Sequence, residues 1–135
     1  MPLIRVIHQL HYAKAEGRFK SIAFETSSDG GVSVFLSDCA NEQSGNICEH
    51  IGRYYAAIAG DPPIYWEFSE NVLPAGCHHE TKVEAGKDPC HENIVGMNKK
   101  QSRNFFKQHT GTRLSLFTIC DPDTGPRPLL AADLQ

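Results

Sequence analysis

Gly- and Pro-rich turn signals divide this chain so finely that only short strands and two helices fit between them. Ser27-Ser28-Asp29-Gly30-Gly31, Gly60-Asp61-Pro62-Pro63 and Asp121-Pro122-Asp123-Thr124-Gly125-Pro126-Arg127-Pro128 are the strongest breaks. Before the first of them, Leu3 to His8 is apolar apart from Arg5 and reads as a strand, and Ser21 to Glu25 reads as a second. Val32 to Leu36 is β-branched and aromatic, which predicts a hairpin with Ser21 to Glu25 across the Ser27 to Gly31 turn. Asn46 is placed to cap a helix with Glu49 at its third position, continuing through Ile47, Ile51, Tyr54, Tyr55 and Ile58. Ile64 to Phe68 and, more weakly, Glu80 to Glu84 follow as strands. A second helix is predicted from Lys99 to His109, capped by Asn98, and Arg113 to Cys120, apolar on both faces, is predicted as a central strand. Strands interspersed with two helices define a single compact α+β domain over residues 1–120, with a mostly antiparallel or mixed sheet. Residues 121–135 are expected to be a Pro-rich tail.

A chain of 135 residues buries roughly two thirds of its unfolded surface, so it needs no metal or disulfide merely to have a core. Nothing in it approaches the roughly 18 apolar residues of a membrane span, and we expect a cytoplasmic protein without a membrane partner. Five cysteines are an odd number at irregular spacing, which predicts reduced thiols.

The same cysteines, with seven histidines, are rich in zinc-type ligands. They are densest in Gly76-Cys77-His78-His79-Glu80 and Asp88-Pro89-Cys90-His91-Glu92, where Cys77, His79, Cys90 and His91 would form a tetrahedral zinc clamp if the intervening segment folds back as a hairpin. Cys48 and His50, two apart on the first helix, face different sides and make a weaker pair.

Charge is unevenly distributed. Residues 97–120 hold five basic and no acidic residues, leaving eight basic against sixteen acidic elsewhere. Lys99, Arg103 and Lys107 recur at i, i+4 and i+8, a stripe able to receive phosphates and, as an alternative function, nucleic acid. Arg5 is the other conspicuous charge. Inside an apolar strand it needs a partner, either a ligand phosphate or carboxylate or a side chain such as Glu67 or Asp38, because an unpaired buried charge costs several kcal/mol.

Arg5-Val6-Ile7-His8, Ser21-Ile22-Ala23-Phe24, Ser33-Val34 and His91-Glu92-Asn93-Ile94-Val95-Gly96 resemble the pattern of a family of small bacterial domains of unassigned function, over about the first hundred residues. Arg5, Gly17-Arg18-Phe19 and Val32 to Leu36 are also similar in order to NAD-consuming toxins of the RES and ADP-ribosyltransferase kind. That likeness implies that Arg5 helps hold a dinucleotide, with Glu42 and Glu49 as positional candidates for the acid. Met1-Pro2 resembles the start of the tautomerase family, which would imply a long helix after the first strand, where Gly17 intervenes.

The leading expectation is a cleft lined by Arg5, His8, Arg18, Ser33 and His91 that binds an anionic, nucleotide-like ligand and processes it as a toxin or effector would. Arginine would hold phosphate, and His8 and His91 would transfer protons. The alternatives are a non-enzymatic interaction module with the zinc clamp and a nucleic-acid-binding module.

Overall fold

The computed structural model describes residues 1–26 and 30–134. Seven strands form one sheet: Pro2–Ile7 (β1), Val32–Leu36 (β4), Ile64–Ser69 (β5), His78–Thr81 (β6), His91–Val95 (β7), Phe117–Asp121 (β8) and Gly125–Pro128 (β9). Their order is β6-β7-β4-β1-β5-β8-β9, and every neighbouring pair is antiparallel. Tyr12–Ala13 (β2) and Arg18–Phe19 (β3) pair separately as a short ribbon. The helices are Ser37–Ser44 (α1), Ile47–Tyr54 (α2) and Lys99–Thr110 (α3). The fold is α+β, as expected.

Strand alternation divides the interior into two cores. Leu3 and Ile7 of β1, Val32 and Val34 of β4, and Ile64, Trp66 and Phe68 of β5 face Phe105 and Phe106 of α3. Ile4, Phe35, Tyr65, Cys90 and Cys120 face Ala40 of α1 and Ile47 and Ile51 of α2. The sheet is thus buried on both sides, with α3 on one face and α1 and α2 on the other.

Several local expectations hold. The Asn46 side chain accepts from the Glu49 amide to open α2, and Asn98 with Gln101 forms a full capping box on α3. Others do not. Ser21–Phe24 is a 3-10 turn, not a strand, and β4 pairs with β1 and β7 rather than with it. A strand sends successive side chains to opposite faces, whereas this turn buries both Ala23 and Phe24. Ser27 to Asp29 of the predicted hairpin turn lie outside the described residues. Helix α1 carries almost no apolar signal, burying only Ser37 and Ala40. Helix α2 ends at Tyr54, short of Ile58. After β1 comes a 3-10 turn and the β2–β3 ribbon, not a tautomerase-like helix. The predicted strand from Arg113 begins only at Phe117, after the 3-10 turn Leu114–Leu116, and lies between β5 and β9 rather than centrally.

The expected tail is also corrected. β9 is the sheet's last strand, and prolines are tolerated there because an edge strand has one side free of ladder bonds. Arg127 on β9 bonds Asp121 at 3.0 Å and Asp133 at 2.7 Å, and Leu129 is 1% exposed within the α3-side core. Leu129→Ala is therefore expected to lower stability by about 2–3 kcal/mol in denaturant unfolding.

The thiols are corrected as well. Cys39 of α1 is bonded to Cys90, just before β7, and Cys48 of α2 to Cys120 of β8, with Cα separations of 5.6 and 5.8 Å. Packing two helices on one sheet face brings these pairs within disulfide reach, which irregular spacing along the chain does not reveal. Cys77 is the free thiol.

Candidate functional site

β1 and β4 stay paired only at Leu3–Leu36 and Ile4–Phe35, while β1 continues against β5 through Ile7 and β4 continues against β7. The sheet therefore splits beyond Ile4 and Phe35. Arg5 stands in the split. Its Nε donates to the Ala23 carbonyl at 3.0 Å and its Nη1 to the Ser33 carbonyl at 2.8 Å, and its guanidinium carbon lies 6.0 Å from the centre of the Phe24 ring. Among the described residues it forms no ion pair; Glu67, an anticipated partner, instead accepts from the Ser37 hydroxyl at 2.9 Å. Burial pushes the Arg5 pKa down to about 10, with Tyr55 opposing, so the group stays cationic at neutral pH.

The split opens into a cavity of 140 Å³ lined by Arg5, His8, His11, Ser33, Tyr55 and Ile58 among others, with no carboxylate in its wall. His8 Nδ1 accepts from the Leu10 amide at 3.0 Å, which leaves the hydrogen of a neutral ring on Nε2. His11 Nδ1 is buried without a hydrogen-bond partner. Its pKa is lowered, first by burial and then by the neighbouring charges of His8, Arg5 and Lys20, against an opposing effect of Glu25.

Ser33 connects this cavity to His91. The Ser33 hydroxyl lies 2.7 Å from His91 Nε2, and His91 Nδ1 lies 2.7 Å from the Lys82 carbonyl. A carbonyl only accepts, so Nδ1 carries the hydrogen and the neutral ring presents Nε2 as acceptor to the serine hydroxyl. This is a hydroxyl, a base and an orienting group in series, the arrangement that activates an oxygen nucleophile or relays a proton. His91 in turn lines a 400 Å³ cleft with Tyr54, Tyr55, Lys82 and Lys87, so Tyr55 is a wall common to both spaces. A roomier cavity of 930 Å³ lies beside Cys48–Cys120; of its charges, Glu49 and Arg53 are exposed and Asp121 is held by Arg127 at 3.0 Å.

Of the five residues predicted for the cleft, Arg5, His8 and Ser33 line the split, and His91 lines the adjoining cleft, in contact with Ser33. Arg18 lies on β3, paired with Glu16 at 3.4 Å and outside both linings. Glu42 and Glu49 are exposed on α1 and α2 and do not line the split.

The zinc clamp does not assemble. Cys90 is in a disulfide, Cys77 faces a separate cleft beside Met97 and His109, and His91 is engaged by Ser33 and Lys82. His79 sits between Glu92 at 2.7 Å and Glu70 at 2.5 Å. Burial works against its protonation, but the hydrogen bonds of Glu92 and Glu70 outweigh it and raise its pKa. A folded-state pKa above the unfolded one gives stability that is fully present below about pH 6.5 and is lost as pH rises through the raised value. His79→Gln should accordingly destabilise the chain more at pH 5.5 than at pH 9 in guanidinium unfolding; an equal loss at both would remove this account.

Two of the three stripe residues, Lys99 and Arg103, share the single carboxylate of Glu25, at 2.7 and 3.0 Å, and Lys107 is exposed. That arrangement is a solvated helix face tied to a neighbouring loop rather than a phosphate track.

Cys48 and His50 do not act as a pair, since Cys48 is bonded to Cys120 and His50 turns inward. His50 of α2 is fully buried, bonded through Nδ1 to the Ser44 hydroxyl at 2.8 Å and through Nε2 to Asp88 at 2.7 Å, and Asp88 also accepts from Tyr55 and from the Cys90 amide. Its sequence signal is its place with Ile47, Ile51 and Tyr54 on the apolar face of α2, at i+3 from Ile47. No family model, curated protein or solved structure matches this chain.

Proposed function

We propose that the split between β1 and β4 binds an anionic, nucleotide-like small molecule, with a phosphate against Arg5 and the remainder passing Tyr55 into the 400 Å³ cleft. The observation that carries this reading is Arg5 itself: a cation set into the sheet, held by two carbonyls, facing a cavity with three basic side chains and no carboxylate. A guanidinium oriented by backbone acceptors and lacking an anion is suited to receive one. The smaller cavity takes a single phosphate-sized group, and the larger cleft, which also holds Glu84 and Asp88 with Lys87 paired to Glu84 at 3.4 Å, offers the Tyr54 and Tyr55 rings to a base.

Ser33 and His91 give the site a means of processing what it binds, His91 withdrawing the proton as the serine hydroxyl or a water in its place attacks. The toxin-like resemblance of the sequence agrees in putting the phosphate-holding Arg on the first strand. The two disulfides favour an oxidising compartment as the place where the chain is folded and stable, in preference to the cytoplasm.

Calorimetric titration with ADP and with NAD tests the proposal. Arg5→Lys keeps the charge but loses the fork geometry and is expected to weaken binding at least tenfold; His91→Gln is expected to remove any turnover while leaving the melting temperature within a few degrees. Equal affinity in wild type and Arg5→Lys would refute the assignment.

A further inference from the structure

We propose that the Cys39–Cys90 disulfide masks a zinc site, which forms from Cys39, His50, Asp88 and Cys90 when that bond is reduced. The ligand atoms of His50, Asp88 and Cys90 already lie within 4.8 Å of one another, and all three residues are buried. Cys39 is joined to Cys90, so its sulfur is carried to the same place. Two sulfurs, an imidazole and a carboxylate are a donor set for tetrahedral zinc, whose bonds of about 2.0–2.3 Å put neighbouring ligand atoms about 3.3–3.8 Å apart. Small side-chain movements reach that geometry from the present one.

The surroundings are those a metal site requires. Ser44 holds the far nitrogen of His50, and Tyr55 and the Cys90 amide hold Asp88. At present Nε2–H donates to the Asp88 carboxylate and Nδ1 accepts from Ser44. With zinc between ring and carboxylate, the hydrogen moves to Nδ1 and is donated to the Ser44 oxygen, so no partner is lost.

A dithiol reductant supplies the electrons. One of its thiolates attacks the sulfur of Cys39, a half-buried residue, releasing the Cys90 thiolate, and its second sulfur then displaces Cys39. The reductant leaves as a cyclic disulfide, its two protons pass to Cys39 and Cys90, and zinc displaces them on binding. A chain passing from an oxidising to a reducing compartment would thereby exchange one cross-link for another between the same two elements.

The test compares the oxidised chain with the chain after a non-metal-binding phosphine reductant, titrating each with Co²⁺ and then Zn²⁺. The reduced chain is expected to bind one metal, with thiolate-to-cobalt absorption and tetrahedral ligand-field bands, and the oxidised chain none. Alkylation read by mass spectrometry should show zinc protecting Cys39 and Cys90 while Cys48, Cys77 and Cys120 react. Asp88→Asn should weaken zinc binding by about 10- to 100-fold. If reduction alone unfolds the chain, circular dichroism should show zinc restoring it with the same protection pattern. Absence of uptake by the reduced chain, equal uptake by the oxidised one, or protection falling on other cysteines would overturn the proposal.

Discussion

Replacing Phe24 by alanine is expected to destabilise the protein by about 3–5 kcal/mol, at the upper end of what a single core truncation does. Phe24 is fully buried at the centre of an aromatic cluster, with Trp66, Phe68, Phe105 and Phe106 ring centres 5.6–5.8 Å away. Those partners come from β5 and α3, so its removal leaves a cavity between the sheet and the helix that rigid neighbours cannot fill. The ring also lies beside the Arg5 guanidinium. Loss of stability should therefore be accompanied by weaker nucleotide binding, whereas Phe24→Leu, which fills most of the space, should retain more of both. Urea unfolding of the three proteins measures the first effect; a loss below about 1 kcal/mol for Phe24→Ala would mean that the cluster is not a packed unit.

Removing the Cys48–Cys120 bond, by Cys48→Ser, is expected to cost about 2–5 kcal/mol. It closes a long loop, joining residues 72 apart, and it pins α2, otherwise one short helix, to β8. In the chain-entropy account, opening so large a loop frees the unfolded ensemble substantially, although native strain and residual structure modulate the size of the effect. The loop of Cys39–Cys90 overlaps it, so each bond closes a shorter effective loop while the other is intact, and losing both should cost more than the sum of the two separate losses. Guanidinium unfolding of wild type, both single variants and the double variant under non-reducing conditions reads this directly. Identical midpoints would show that the bond contributes nothing to folded stability.

How much of this was visible in the sequence depends on whether the determining interaction was local. The caps Asn46 and Asn98 act within three residues, and both helices they start were legible. β1, β4 and β5 announce themselves through β-branched and aromatic runs. Helix α1 does not, because Ser37 to Ser44 is polar and is held by its neighbours α2, β1 and β4 and by Cys39, all of them tertiary influences. β9 was hidden for a related reason: prolines argue against a strand until one knows that it is an edge.

The candidate site shows the same division. Arg5 was conspicuous because a charge in an apolar strand demands a partner, and Ser33 and His91 stood in short patterned segments. Their meeting, 58 residues apart in sequence, follows from the β4–β7 pairing that no local pattern encodes. Cys90 misled for the opposite reason. It lies next to a histidine in sequence, but its sulfur is bonded to Cys39 of α1 while the His91 ring reaches along the sheet to Ser33.

The central claim is that Arg5 receives an anionic group in the split between β1 and β4. A crystal structure of the chain with bound ADP tests it most directly. The account predicts a phosphate within hydrogen-bonding distance of the Arg5 guanidinium and the adenosine reaching past Tyr55 toward His91. Nucleotide bound instead in the cavity beside Cys48–Cys120 or along Lys107, with the split empty, would contradict it.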